Sequence, residues 1–220
     1  MFVTHNGIQL YYDVKGNGRP LILLHGNGED HSIFEEAAEV LSQQYRCYLV
    51  DSRGHGQSTP VSELHYQEMA DDMIAFLEKL DLKDVVFYGF SDGGIIGLLA
   101  AMHCDRITDL ITSGANLTPN GVKTGLKLFF QGVYLVTKDP KMCLMLEEPH
   151  ITEEELKTIN ARTLVLAGSK DAVKEEETIQ IAEGIPHATL RILDGETHGS
   201  YIVHSRKIGD LLAGWLSQKA

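Results

Sequence analysis

The 220-residue chain has few cysteines, a shortage of positive charge and no long apolar run. Its three cysteines, Cys47, Cys104 and Cys143, are odd in number and far apart. They read as free thiols in a reducing compartment and not as a disulfide framework. Nineteen Lys and Arg face 31 Asp and Glu, for a formal charge of −12. Phosphate backbones demand a basic stripe, and none is visible, so no nucleic-acid partner is expected. No apolar stretch approaches the roughly 20 residues that span a bilayer, and no charged segment with an apolar core opens the chain. The expectation is a cytoplasmic protein with no membrane partner. Ten histidines are present, but H-E-x-x-H and C-x-x-C spacings are absent, which argues against a zinc site. Gly16-x-Gly18 lacks the strand-to-helix context of a dinucleotide fingerprint. Neither metal nor organic cofactor is expected.

At 43% hydrophobic residues the chain can bury a substantial core, most simply as one domain over 1–220. Strands are expected at 2–5, 9–14, 21–24, 45–50, 85–88, 107–112, 163–167 and 189–193. Lys15-Gly16-Asn17-Gly18 reads as a hairpin turn between the second and third of these. Helices are expected from Ser32, where Glu35 completes a capping box, to about Ser42. Others are expected at 66–80, about 174–182 and 201–217. Strands alternating with helices imply a mainly parallel sheet covered on both faces. The exception is about 116–160. There Leu126, Phe129, Phe130, Val133 and Tyr134 have helical spacing, Asp139-Pro140 starts a second helix, and Thr152 with Glu155 a third. Helices inserted without an intervening strand read as a small cap over the carboxyl edge of the sheet, placed to wall a pocket. No long exposed amphipathic stretch is evident in this cap, which argues against lipid substrates.

Chemistry concentrates in Gly89-Phe90-Ser91-Asp92-Gly93-Gly94, between the apolar runs Val85–Tyr88 and Ile95–Met102. A G-x-S-x-G pattern between strand and helix presents an exposed serine at a sharp turn. A serine hydroxyl needs a base within hydrogen-bond reach, an orienting carboxylate for that base, and donors for the developing oxyanion. His198 lies in a loop between the last strand and last helix, at the same edge as Ser91. Asp171 follows the penultimate strand and reaches that edge too. The other carboxylate site, after the strand 107–112, is empty because Ser113-Gly114-Ala115-Asn116 holds no acid. In His25-Gly26-Asn27-Gly28 the glycines allow the Asn27 amide to face the oxyanion beside that of Asp92. The His25 side chain is expected to brace this loop.

These residues resemble the α/β-hydrolase superfamily over nearly the whole chain, as an esterase-like serine hydrolase with a short cap. The motifs are HGNG at 25–28, DSRGHGQS at 51–58, GFSDGG at 89–94, AGSKD at 167–171 and THG at 197–199. Their order, Ser then Asp then His, is that of the superfamily. The resemblance implies a mostly parallel sheet and two-step hydrolysis of a small-molecule ester through an acyl-enzyme. It also implies a structural role for Asp51, Arg53 and His55, in the loop that shapes the pocket floor. Departing from many relatives, the cap is short. The same fold also implies alternatives: a non-catalytic or slow small-molecule receptor, a thioesterase, a C–C hydrolase or a perhydrolase. Asp92 sets a carboxylate beside the nucleophile. It either pairs with a substrate ammonium, favouring amino-bearing esters, or makes a buried structural hydrogen bond to backbone. Phe129 and Phe130 join it as candidate substrate contacts. The sequence fixes no oligomeric state.

Overall fold

The computed structural model describes residues 1–218. Eight strands form one sheet: β1 (Phe2–His5), β2 (Ile8–Lys15), β3 (Arg19–Leu24), β4 (Tyr45–Val50), β5 (Val85–Phe90), β6 (Ile107–Ser113), β7 (Arg162–Lys170) and β8 (Ala188–Thr197). Their spatial order is β1-β2-β4-β3-β5-β6-β7-β8. β1 and β2 pair antiparallel, as do β2 and β4; every other neighbour is parallel.

The sheet separates two cores by simple alternation. Leu21 and Leu23 of β3, with Cys47 and Leu49 of β4, face α1 (Glu35–Leu41) and α8 (Arg206–Leu216). Ile22 and Leu24, with Tyr48 and Val50, face the opposite core. That core is roofed by α2 (Tyr66–Lys79) and α3 (Asp92–His103). Continuous apolar runs with both faces covered are what a central parallel strand requires. Burying side chains such as Phe34, Phe76 and Phe87 contributes about 1.5–3 kcal/mol each before entropy is counted.

Between β6 and β7 the chain forms α4 (Thr124–Thr137), α5 (Pro140–Glu147) and the single turn α6 (Glu153–Leu156); α7 (Glu175–Gly184) then joins β7 to β8. Asp139 caps α5 by accepting the Lys141 amide at 2.9 Å. Thr152 and Glu155 form the expected capping box. α5 packs on α4, whereas α6 packs on α3 and α7, with Leu156 wholly buried.

Three expectations are corrected. Lys15–Gly18 is not a hairpin, because β4 lies between β2 and β3. The segment instead passes under the Ser42–Tyr45 turn, where a Cβ on Gly16 would come within 2.3 Å of the Ser42 carbonyl oxygen. Ser32 is not the helix cap: Asp30 accepts its amide and opens a 3₁₀ turn, His31–Phe34, ahead of α1. The last helix starts at Arg206 and not Tyr201, because His204 adopts a left-handed backbone (φ 48°) and Ser205 caps the next turn.

The crossing at Gly16 can be tested against a glycine with free space. Gly7 and Gly16 share positive φ, +82° and +79°, but a Cβ on Gly7 has nothing within 4 Å. Gly7→Ala is expected to cost about 1–2 kcal/mol, the penalty of left-handed backbone alone. Gly16→Ala is expected to cost clearly more, because backbone must also move. Urea denaturation of the two variants checks the order, and equal losses would refute the packing argument.

Candidate active site

β5 runs straight into α3, so the chain must reverse within one residue. That residue is Ser91, with φ 53° and ψ −116°. Its amide donates to the Ser113 carbonyl at 2.7 Å, and its own carbonyl accepts from Gly94 and Ile95. The helix starts hard against β3: a Cβ on Gly93 would lie 2.2 Å from the Leu24 carbonyl oxygen. The spacing of small residues around Ser91 therefore answers a steric demand.

β7 and β8 each run past their expected ends and deliver Asp171 and His198 to the same edge. The Nε2 of His198 lies 3.0 Å from Ser91 Oγ, and its Nδ1 lies 2.6 Å from Asp171 Oδ1. The phenyl ring of Phe90 packs on the imidazole with centroids 5.0 Å apart. Asp171 is buried and also accepts the amides of Val173 (3.0 Å) and Gly168 (3.2 Å). Burial alone would raise its carboxyl, but the hydrogen bond and charge of His198, with those two amides, hold it below the ordinary carboxylate value.

Gly114 was not singled out from sequence, yet its position decides whether the imidazole fits. With φ +64°, it would place a Cβ 2.6 Å from His198 Cε1. The signal was present in Ser113-Gly114-Ala115-Asn116, a loop at the same sheet edge without a carboxylate.

The His25–Gly28 loop lies against Ser91; a Cβ on Gly26 would approach Ser91 Cβ to 3.0 Å. Among the described residues, the amides of Asn27 and Asp92 donate to no protein acceptor. His25 braces the loop as expected: Nδ1 bonds the Gly26 carbonyl at 2.7 Å and Nε2 accepts the Ser52 amide at 3.2 Å. Burial, then the neighbouring His55, pulls His25 down to about 4, so the ring is neutral at neutral pH. Glu29 closes the loop by accepting the Gly26 amide at 3.0 Å.

Asp92 is buried and doubly engaged. Oδ1 accepts the Tyr66 hydroxyl and Oδ2 the Asn27 side-chain amide, both at 2.8 Å. Burial raises its carboxyl; the bonds from Asn27 and Tyr66 and the charges of His55 and His198 oppose this without cancelling it. The floor loop is equally occupied. Asp51 accepts the amides of His31 and Gln57, and Arg53 is held by Asp72 and Glu68.

A cavity of about 380 Å³, open mouth included, lies over Ser91. Leu126 and Phe130 of α4 and Met145 of α5 wall it, facing Tyr66, Asp92 and His198. Phe130 thus stands where sequence placed it. Phe129 does not: it is 62% exposed on the outer side of α4, since a helix turns about 100° per residue and adjacent positions diverge. Elsewhere, Asp30, His31 and Asp51 have ligand-type atoms within 4.8 Å of one another. Their contacts are already used in shaping the loop, with His31 Nδ1 2.8 Å from Asp51 Oδ1.

The comparisons with known proteins fit this geometry. The AB hydrolase superfamily protein YisY of Bacillus subtilis is 27% identical over 257 aligned positions, covering 96% of each chain. That alignment is longer than this chain, so the relative carries segments that are missing here. The pimeloyl-[acyl-carrier protein] methyl ester esterase of Aliivibrio fischeri is 34% identical over 104 positions, which are 47% of this chain and 39% of the relative. Among solved structures, an esterase from Exiguobacterium antarcticum superposes with a TM-score of 0.86, covering 99% of both chains at 22% identity. At that identity the likeness speaks for the fold alone. The family pattern for the alpha/beta hydrolase fold matches residues 19–150. The strand order, the turn at Ser91 and that match agree: the chain belongs to the alpha/beta hydrolase fold family.

Proposed function

We propose that this protein hydrolyses small carboxylic esters through an acyl-enzyme on Ser91. The observation that carries the reading is the unbroken line from Ser91 Oγ through His198 to Asp171, at 3.0 and 2.6 Å. His198 Nε2 takes the hydroxyl proton as Ser91 Oγ attacks the acyl carbonyl. Asp171 accepts from Nδ1–H, fixes the tautomer and stabilises the imidazolium. The free amides of Asn27 and Asp92 are the donors for the oxyanion. His198 then protonates the leaving alcohol, and water, deprotonated by the same ring, releases the acid. The relatives named as hydrolase and methyl ester esterase support ester chemistry, and the modest cavity supports small substrates.

The Asp92 carboxylate lines the cavity, but both oxygens already accept protein hydrogen bonds. This supports a structural role over recognition of a substrate ammonium. The donors are side chains and not backbone.

A panel of esters and thioesters of rising chain length tests the reading. Ser91→Ala is expected to lower kcat by roughly 10⁶. Stoichiometric binding without turnover in the wild type would replace the enzyme by a receptor. Asp171→Asn keeps the shape but favours the wrong imidazole tautomer, and a loss of about 10⁴ in kcat is expected. For Asp92, the ratio of kcat/KM between an α-amino ester and its desamino analogue is expected to be equal in wild type and Asp92→Asn. A ratio that collapses in the variant would assign ammonium binding to this carboxylate.

A further inference from the structure

α4 is apolar on both of its faces. Leu126 and Phe130 point into the cavity, while Leu128 (61% exposed), Phe129, Leu135 (70%) and Val136 (85%) stand in solvent. At 100° per residue the outer side chains, with Gly125 and Gly132 between them, fill one continuous arc that contains no polar residue. The absence of an exposed amphipathic stretch, expected from sequence, is therefore overturned. An exposed apolar helix face in a water-soluble setting marks a contact surface.

Charge selects among the occupants. The protein carries −12 overall, yet Asp139 is the only acid between Asp109 and Glu147. One oxygen of its carboxylate caps α5 by accepting the Lys141 amide. Lys123, Lys127, Lys138 and Lys141 occupy the same stretch, so α4 and the start of α5 are locally cationic, ahead of Glu147 and Glu148. Lys123 and Lys138 flank α4 at its two ends and are exposed. A second copy docked through this face would bring lysines against lysines. A single 14-residue helix also falls short of the roughly 800 Å² per partner that stable interfaces bury. An apolar helix face with a lysine at each end of the helix is instead the pattern that lies flat on an anionic lipid surface, apolar side chains down and ammonium groups among the headgroups. No described helix is long and apolar enough to cross a bilayer, so the contact is with the surface only.

We propose that the outer face of α4 docks this protein on anionic lipid bilayers, with Leu128, Phe129, Leu135 and Val136 inserted at the headgroup boundary. The docking does not depend on the ester-hydrolase reading, since binding is measured without turnover. The purified protein is sedimented with vesicles of phosphatidylglycerol and phosphatidylcholine mixed, and with phosphatidylcholine alone. Wild type is expected to co-sediment with the mixed vesicles, and to release as salt is raised. The double variant Leu135→Gln, Val136→Gln removes two exposed side chains that wall no cavity. It is expected to bind at least about tenfold more weakly, with an unchanged thermal midpoint and unchanged turnover of a soluble short ester. Wild type left in the supernatant with both vesicles would overturn the proposal, as would equal binding to both. A dimer seen by light scattering in lipid-free buffer and dissolved by the double variant would assign the face to a second copy and overturn it as well.

Discussion

The structure depends on the backbone of one residue. Ser91 sits at φ 53° and ψ −116°, a conformation that costs a non-glycine residue on the order of 1–3 kcal/mol. It persists because the elements on either side are fixed independently. β5 is hydrogen-bonded to both β3 and β6, and α3 is buried on nearly every side by the core beneath it. Two wholly buried side chains, Ile96 and Leu98, offset the strain from the helix side alone. The hydroxyl is thereby held clear of the helix and free to meet His198. Neither neighbour could be moved without releasing the turn.

Around that turn, polar groups are shared between the core and the cap. The Asn27 side-chain nitrogen donates to Asp92 and also to the Lys141 carbonyl of α5. Tyr66 donates its hydroxyl to Asp92 and its amide to Glu148, whose other oxygen lies 2.7 Å from His65. One buried carboxylate thus ties the loop carrying the free Asn27 amide to α2, and through Asn27 to the cap. Removing any single partner leaves a buried acceptor or donor unmet, which costs more than the bond itself contributes.

Local grammar made most of this legible. The apolar runs gave the parallel strands, and small residues around a serine gave the turn. Strand ends gave Asp171 and His198, because all parallel strands deliver their following loops to one edge. What failed was non-local. Gly16 and Gly18 look like a hairpin turn, and only the insertion of β4 between β2 and β3 makes them a crossing. Gly114 matters through a side chain 84 positions away in sequence, so nothing near it announces His198. Phe129 and Phe130 share one helical spacing, and the sequence alone does not say which side of α4 the sheet takes.

That same helix shows what a short cap entails. Every residue of α4 is at least partly exposed, so the roof over Ser91 is one helix thick. In a thicker cap, a second layer would bury the outer face and separate it from the cavity wall. Here Leu126 and Phe130 line the cavity within a residue or two of Leu128 and Phe129 in solvent. Segments with so little burial open at low free-energy cost, and they are where entry to a site is set. One helix therefore carries both the wall of the cavity over Ser91 and the exposed apolar face, with no layer between the two.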